Sequence, residues 1–176
     1  MTDLETQLVK YIEDAHALER HMERALDSLI ETTNNTEMRE NLKQHKEETE
    51  RHRERLAERL EAHDASPSAL KDAGQVFVAL TKGLIDRSRT DTAGKNLRDG
   101  FVAEHLEIAS YELLERVAEL AGDSQTAEVA RRNRADEEAM VEKIRGAWDA
   151  AVIESLEQEG VRPSEFAETS TFRRGA

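Results

Sequence analysis

The stretch Gln44-His45-Lys46-Glu47-Glu48-Thr49-Glu50-Arg51-His52 decides the fold of this chain. It is predicted to be helical, and on a helix His45, Glu48 and His52 lie close to the apolar side, where Leu or Ile would be expected. Ionisable side chains are almost never buried unless they are paired or bind a metal. We therefore expect this stretch to form one wall of a carboxylate and imidazole metal site inside a helical bundle.

The helix around this stretch is predicted to run from about residue 37 to residue 63. Its inward seam recurs in alternating steps of four and three residues, the spacing of a helix that packs in a bundle. The members of this seam are Met38, Leu42, His45, Thr49, His52, Leu56 and Leu60. Thr36 is expected to cap the helix. The other positions are mostly Glu and Arg with opposite charges three or four residues apart, which is typical of a solvated face.

A second seam of the same kind precedes it, on a helix predicted from about residue 2 to residue 31. The members of this seam are Leu8, Ile12, Ala15, Glu19, Met22, Leu26 and Leu29. Only Glu19 is polar among them, so Glu19 is a candidate metal ligand. The alternative is that its long stem reaches out to solvent.

Three further helices are predicted, over about residues 68–89, 95–121 and 125–158. The first has no inward carboxylate or imidazole and is expected to be a crossover or packing element. The second has two apolar stripes, a width that indicates burial against several neighbours, or a dimer contact as well as a core. Those stripes are Leu97, Phe101, Ile108 and Tyr111, and Val102, Leu106, Ala109, Leu113, Val117 and Leu120. The segment Gly122-Asp123-Ser124 is expected to provide a C-cap followed by an N-cap before the last helix.

The last two predicted helices also carry acidic side chains next to their apolar faces. Glu104 and Glu107 lie one turn apart at the margin of one face, and Glu137 and Glu138 extend the other face backwards by a turn. Two helical hairpins that face each other would bring these groups close to those of the first two helices. Four helices that each offer an inward Glu, some with a His one turn away, are the ligand set of a di-iron or di-manganese carboxylate site. Without metal, such carboxylates would repel one another and some would protonate.

Composition narrows the class of protein. The chain has 176 residues, enough for one domain, with 36% charged and only 4% aromatic residues, a mixture that favours long helices. It has no cysteine, which excludes disulfides, thiolate zinc sites and a cysteine nucleophile. The acidic net charge of −13 argues against nucleic-acid binding. No apolar run is long enough to span a membrane and the N-terminus lacks the features of a signal peptide, so we expect a cytoplasmic protein.

The chain resembles the YciF-type ferritin-like family of bacterial and archaeal stress proteins over about residues 4–157. The segments that carry the resemblance are Ala17-Leu18-Glu19, His45-Lys46-Glu47-Glu48-Thr49, Glu104-His105-Leu106-Glu107-Ile108-Ala109-Ser110-Tyr111, and Asp136-Glu137-Glu138 followed by Glu142. The resemblance implies an all-α fold, a ferritin-like four-helix bundle with an additional crossover helix, five helices in all. It also implies a homodimer with a di-iron centre, in which manganese or zinc would be alternatives to iron. Oxidation of Fe(II) or reduction of peroxide in a stress response is the expected chemistry.

This chain departs from the ferritin-like pattern at its imidazoles. Ferritin-like proteins generally carry Glu-x-x-His in two bundle helices, whereas neither Glu48 nor Glu138 is followed by His three residues later. Instead, His45 precedes Glu48 by three residues and His52 follows it by four. The predicted metal ligands are Glu19, His45, Glu48, Glu104, Glu107, Glu138 and Glu142. A second interpretation of His45 and His105 is that they are core side chains that orient the carboxylates.

Two functions remain open from the sequence. The first is a metal-binding protein of the stress response with oxidative chemistry, in which catalytic residues other than metal ligands are not identified. The second is a non-catalytic dimeric helical bundle, an interaction or structural protein without metal, whose polar seam residues only fix the register of packing. Glu104 and Glu142 could also be surface residues in ion pairs. In both cases we expect residues 1–159 to form the bundle and residues 160–176 a flexible C-terminal tail.

Overall fold

The computed structural model describes residues 3–33, 35–67 and 92–162. Within these ranges the secondary structure consists of four helices and contains no strand. The helices are α1 (Asp3–Thr32), α2 (Thr36–Ala62), α3 (Thr92–Ala121) and α4 (Ser124–Gln158). The all-α prediction is confirmed, and the predicted helix ends are correct to within three residues. The helix predicted over residues 68–89 and most of the predicted tail lie outside the described residues.

The four helices form a bundle of two hairpins. Short connections join α1 to α2 and α3 to α4, so the helices of each pair run antiparallel and pack along their length. Across the bundle α1 packs on α3 and α2 packs on α4. The order around the bundle is therefore α1, α2, α4, α3, and side chains from all four helices can meet at its centre. None of the helices in the described ranges is long and apolar enough to cross a membrane.

Local capping explains where the helices begin and end. The side chain of Asn35 accepts a hydrogen bond from the backbone N–H of Met38 at 2.9 Å, so Asn35 is the N-cap of α2 and the prediction of Thr36 was wrong. The predicted caps between the last two helices are confirmed. Gly122 has φ +76°, a left-handed conformation that glycine adopts without strain. The Asp123 carboxylate then accepts the backbone N–H of Thr126 at 3.0 Å.

Asp123 also ties the start of α4 to the end of α2. Its carboxylate accepts hydrogen bonds from Arg59 at 3.1 Å and lies 2.8 Å from His63 Nε2. Burial raises the pKa of Asp123, but the hydrogen bonds from Thr126, His63 and Arg59 outweigh burial and hold this pKa well below its usual range. The cap is therefore a charged junction between the two hairpins.

The core has an apolar cluster towards each end and a polar layer between them. The seams predicted for α1 and α2 are buried, with Met38 only partly so. One cluster includes Leu8, Ile12, Leu56, Leu60, Tyr111 and Leu114, and the other Met22, Leu26, Leu29, Leu42, Leu97, Met140 and Ile144. Glu19, which alone was polar in its seam, lies between the two clusters and is only 1% exposed.

The buried face of α3 agrees with the first predicted stripe only in part and differs from the second. Its buried side chains are Leu97, Ala103, Glu104, Glu107, Tyr111, Leu114 and Ala118. Leu97 and Tyr111 of the first stripe are therefore confirmed, whereas Val102, Leu113 and Leu120 of the second stripe are 39%, 46% and 76% exposed. The second stripe was wrong because alanines and carboxylates occupy part of the inward face, so an apolar period alone did not identify it. His105 is also exposed rather than a core side chain; its ring centroid lies 4.4 Å from that of Phe101.

Candidate metal centre

Six ionisable side chains from all four helices form the polar layer of the core. They are Glu19 from α1, His45 and His52 from α2, Glu104 and Glu107 from α3, and Glu137 from α4, and each is at most 2% exposed. Burying this many ionisable groups in one place is costly unless they compensate one another or bind an ion. The apolar clusters on both sides of the layer keep bulk water from supplying that compensation.

These side chains form two groups that share one carboxylate. Glu19, His52 and Glu137 each offer a nitrogen or oxygen atom within 4.8 Å of the others, and so do His45, Glu104 and Glu137. In the first group His52 Nδ1 lies 3.3 Å from Glu19 Oε1 and 2.9 Å from Glu137 Oε1. In the second group His45 Nε2 lies 3.3 Å from Glu104 Oε1 and 3.5 Å from Glu137 Oε2. Glu137 therefore turns one oxygen towards each histidine.

The two histidines are held by carboxylates on their outer sides. Nδ1 of His45 lies 3.4 Å from Glu48 Oε2, and Nε2 of His52 lies 3.0 Å from Asp136 Oδ2. The inward nitrogen is Nε2 in His45 and Nδ1 in His52. If the outer nitrogen of each ring carries the proton, this inward nitrogen keeps its lone pair. Carboxylates that bind the outer nitrogen of a metal-ligating histidine fix its ring in this way.

A chain of hydrogen bonds holds Glu19 in position. The hydroxyl of Tyr111 donates to Glu19 Oε1. Asn133 Nδ2 donates to the Tyr111 hydroxyl at 3.0 Å, and Arg55 Nη1 donates to Asn133 Oδ1 at 2.7 Å. Arg55 also lies 3.6 Å from Asp136, the partner of His52, so the supports of Glu19 and His52 belong to one network.

Several atoms that face the centre of the layer have no hydrogen-bond partner: Glu19 Oε2, Glu104 Oε2 and both carboxylate oxygens of Glu107. The inward nitrogens of His45 and His52 and the two oxygens of Glu137 are likewise buried, and their contacts are with other members of the layer. Elsewhere in the described residues only Ser28 Oγ and Arg53 Nε are buried without a hydrogen bond, and Arg53 Nε lies 3.1 Å from Glu23 Oε2. Buried polar atoms are nearly always paired, and an unpaired one costs about 1–3 kcal/mol. This set of oxygens and imidazole nitrogens is the donor set of a divalent cation.

The charges of the layer are strongly coupled. Burial and the neighbouring carboxylates of Glu137, Glu19 and Glu104 raise the pKa of Glu107 well above its usual range. Burial also raises the pKa of Glu137 to about 7, although both histidines oppose this shift. Burial lowers the pKa of His52, but Glu137 and Glu19 outweigh it and raise that pKa to about 10. Without a cation, the layer must hold protons to limit repulsion.

The structure brings four of the seven predicted ligands together, namely Glu19, His45, Glu104 and Glu107. Glu48 lies behind His45 with its side chain 16% exposed, so it contacts the outer side of the imidazole. Glu138 and Glu142 point away from the layer. Their side chains are 58% and 69% exposed and lie 3.6 Å from Arg134 and 3.2 Å from Arg145.

Three residues of the site were not among the predicted ligands: Glu137, His52 and Asp136. The sequence contained a signal for Glu137. Ile144, Met140, Glu137 and Asn133 recur in steps of four, three and four residues, the spacing of one helix face, and all four are buried. His52 was a member of the predicted seam. Asp136 is 39% exposed, and no hydrophobic period in the sequence marks it. What identifies it as part of the site is its contact with His52 across the α2–α4 interface.

Comparison with solved structures gives the same architecture. A protein from Xanthomonas campestris is 28% identical, with a TM-score of 0.77 over 90% of this chain and 100% of that one. The Escherichia coli stress protein YciF is 21% identical, with a TM-score of 0.73 over 89% of this chain and 99% of its own. Ferritin-like, di-iron-carboxylate proteins from Bacillus anthracis are 14% identical, with a TM-score of 0.70 over 84% of this chain and 99% of theirs. The fold is therefore that of a ferritin-like bundle.

A family model covers nearly the same residues as the bundle. Residues 3–157 match the family described as a domain of unknown function, DUF892. This range contains all four helices but for the last residue of α4. The chain therefore belongs to the DUF892 family, the YciF-type family of ferritin-like proteins.

Proposed function

We propose that this protein is a di-iron or di-manganese carboxylate protein. Glu19 and His52 would hold one ion and His45 and Glu104 the other, with Glu137 between them. Glu107, both of whose buried oxygens lack a partner, would be a second shared ligand. The observation that carries the proposal is the convergence of unpartnered buried atoms, because a pair of divalent cations would satisfy all of them at once.

The donor set favours a transition metal over calcium or magnesium. Hard oxygen-only cages suit calcium and magnesium, whereas each group here includes one imidazole nitrogen and no thiolate. Four carboxylates can balance the four positive charges of two divalent ions. Iron is the preferred metal on this basis and on the family's ferritin-like fold, and manganese or zinc are the alternatives.

The metal pair would supply the redox chemistry, oxidation of Fe(II) or reduction of peroxide. The protein's own part is to orient the ligands and to exclude water. Glu48 and Asp136 fix the two imidazole rings, and the Tyr111 hydroxyl fixes Glu19. Asp136 is the most exposed member of this set, so the proton on His52 Nε2 has a hydrogen-bonded route towards solvent.

We also infer a cytoplasmic stress-response role and a homodimer that buries the outer face of α3. Val102, Leu113 and Leu120 recur on that face at helical spacing and are exposed in the single chain. A contiguous apolar stripe of this kind is typical of an interface, and a two-fold dimer would cover the same stripe on both copies.

The competing function is a non-catalytic dimeric bundle. In that case the polar layer would serve only to fix the packing register, as buried polar groups do in some bundles. Such a role normally requires each buried polar group to be paired, which is not the case for the carboxylate of Glu107.

Metal titration tests the proposal. Protein stripped with a chelator and titrated anaerobically with Fe(II) is expected to bind about two ions per chain and to melt at a higher temperature once loaded. A protein that takes up no stoichiometric iron, manganese or zinc, and whose melting temperature none of these ions changes, would favour the non-catalytic bundle.

A further inference from the structure

A cavity of about 390 Å³ lies between the four helices at the end of the bundle where α1 turns into α2. Apolar side chains line most of it: Met22, Leu26, Leu42, Leu97, Met140 and Ile144. Cavities of roughly this size hold small organic ligands, and much smaller apolar cavities already bind benzene. The cavity is therefore large enough for a molecule of roughly 10–20 non-hydrogen atoms.

The inner end of the cavity reaches the candidate metal centre. Glu104 lines the cavity, is 2% exposed, and has one oxygen, Oε2, without a partner. Its other oxygen lies 3.3 Å from His45 Nε2. Glu19 and His52 do not line the cavity. A molecule in the cavity would thus meet the centre at Glu104, which in turn contacts His45.

One glycine indicates that this space is kept open. Gly100 on α3 is buried and lines the cavity, although glycine is among the poorest residues for a helix interior. A Cβ atom at Gly100 would have only Ile144 Cδ1 near it, at 4.0 Å. Gly94 differs, because a Cβ there would meet Ser155 Oγ at 3.0 Å. Close packing therefore requires Gly94 but not Gly100.

The charges around the cavity select against an anionic ligand. Besides Glu104, the cavity is lined by the carboxylates of Glu37, Glu142 and Glu154 and by the ammonium group of Lys143. This excess of negative charge would repel a fatty acid or another organic anion. A neutral molecule would pay no such penalty.

We propose that this cavity binds a neutral, mostly apolar organic molecule and holds it against Glu104. The inference deepens the proposed metal function by naming the class of molecule that reaches the site, and it rests on that function for what the molecule meets at Glu104. Binding in the cavity itself does not require metal, so the two ideas can fail separately.

The first experiment uses the metal-free full chain and the neutral fluorescent probe N-phenyl-1-naphthylamine. The fluorescence of the probe is expected to increase when it binds. The concentration of 1-decanol that displaces the probe should be at least tenfold lower than that of decanoate, which corresponds to a difference in binding free energy of about 1.4 kcal/mol. Gly100→Met and Ala147→Met fill the cavity from α3 and from α4 and should each weaken probe binding by about tenfold or more. Ala139→Met, on the exposed side of α4, should change it less than about twofold.

Thermal melts would show that the variants remain folded. Equal probe affinity in the wild type, in Gly100→Met and in Ala147→Met would overturn the cavity assignment, as would displacement by decanoate that matches displacement by 1-decanol. A second experiment loads the protein with Co(II) and adds 1-decanol. The visible spectrum of Co(II) should change in the wild type and not in Gly100→Met. An unchanged spectrum while 1-decanol displaces the probe would overturn the contact at Glu104, whereas failure to bind Co(II) would count against the metal centre alone.

Discussion

Replacing a glutamate by glutamine at two adjacent positions distinguishes the candidate metal centre from the helix surface. Glu137→Gln alters a fully buried carboxylate that both ligand groups share, whereas Glu138→Gln alters a neighbour whose side chain is 58% exposed. The two variants have the same size, charge change and helix. Any difference between them therefore reports on the position of the side chain relative to the polar layer.

The magnitude for the metal-free protein follows from the pKa of Glu137. Its folded-state value is raised from 4.5 to about 7, so the stability linked to this group is present below pH 4.5 and is lost as pH rises through 7. At about 1.4 kcal/mol per pKa unit, ionising Glu137 costs up to about 3 kcal/mol well above pH 7. Glutamine cannot ionise. Metal-free Glu137→Gln should therefore be more stable than the wild type at pH 8, by up to about 3 kcal/mol, and within about 1 kcal/mol of it at pH 5.

Metal binding should change in the opposite direction. Removing a partner outside the ligand set of a metal typically costs about 10–100-fold in affinity, so removing a shared ligand should cost at least about 100-fold. Glu138 lies 3.6 Å from Arg134 on the surface, and exposed pairs of this kind contribute about 0–1 kcal/mol. Glu138→Gln should therefore leave both metal content and stability nearly unchanged.

The assays are urea unfolding of the metal-free proteins at pH 5 and pH 8, and calorimetric titration with Fe(II) or Mn(II). Wild-type metal affinity in Glu137→Gln, or loss of affinity in Glu138→Gln, would refute the role of Glu137 as a shared ligand. Lower stability of metal-free Glu137→Gln than of the wild type at pH 8 would refute the predicted cost of ionising Glu137. That result would mean that the charge of Glu137 stabilises the layer through the histidines more than its burial destabilises it.

Three other changes test the supports of the centre and the surface of the bundle. Tyr111→Phe should lower stability by about 1–2 kcal/mol and metal affinity by roughly tenfold, because Glu19 and Asn133 both lose a hydrogen-bond partner; calorimetry would measure both effects. Asp123→Ala should lower stability by about 1–2 kcal/mol at pH 7. Since the pKa of Asp123 is depressed, this loss should shrink as pH falls below about 3.8, which urea unfolding at pH 7 and pH 3 would detect. Leu113→Lys should convert the proposed dimer to monomer in analytical ultracentrifugation without a change in metal content.

The sequence predicted the fold well wherever a helix buries mainly large apolar residues. In α1 and α2 a regular period of Leu, Ile and Met defined the inward face, so the polar exceptions Glu19, His45 and His52 could be located on it. In α3 the hydrophobic period did not identify the buried face, because Leu113 and Leu120 lie on the exposed face of the helix. A hydrophobic period identifies an apolar face, and it does not say whether that face meets the core or another chain.

The choice between Glu137 and Glu138 shows a finer limit of the sequence. Adjacent helical residues differ by about 100° around the axis, and both positions continue an apolar face when extended by three residues, towards Met140 or Val141. Only the packing of α4 against α2 and α3 decides which carboxylate is buried. The contact between His52 and Asp136 was likewise not predictable, because it joins residues 84 positions apart on two helices.

The arrangement of the layer indicates how the proposed metal centre would form without Glu-x-x-His. Both imidazoles come from α2, at positions seven residues apart, which puts them on one face of the helix and about 10 Å apart along it. Glutamates three residues apart on α3, Glu104 and Glu107, face them on the same layer. His45 uses Nε2 and His52 uses Nδ1, so the two rings reach towards Glu137 from opposite directions. The usual motif pairs a carboxylate with an imidazole on each of two helices. Here α2 supplies both imidazoles and the other three helices supply the buried carboxylates. The donor atoms lie close together in the folded chain, although no short sequence motif predicts this arrangement.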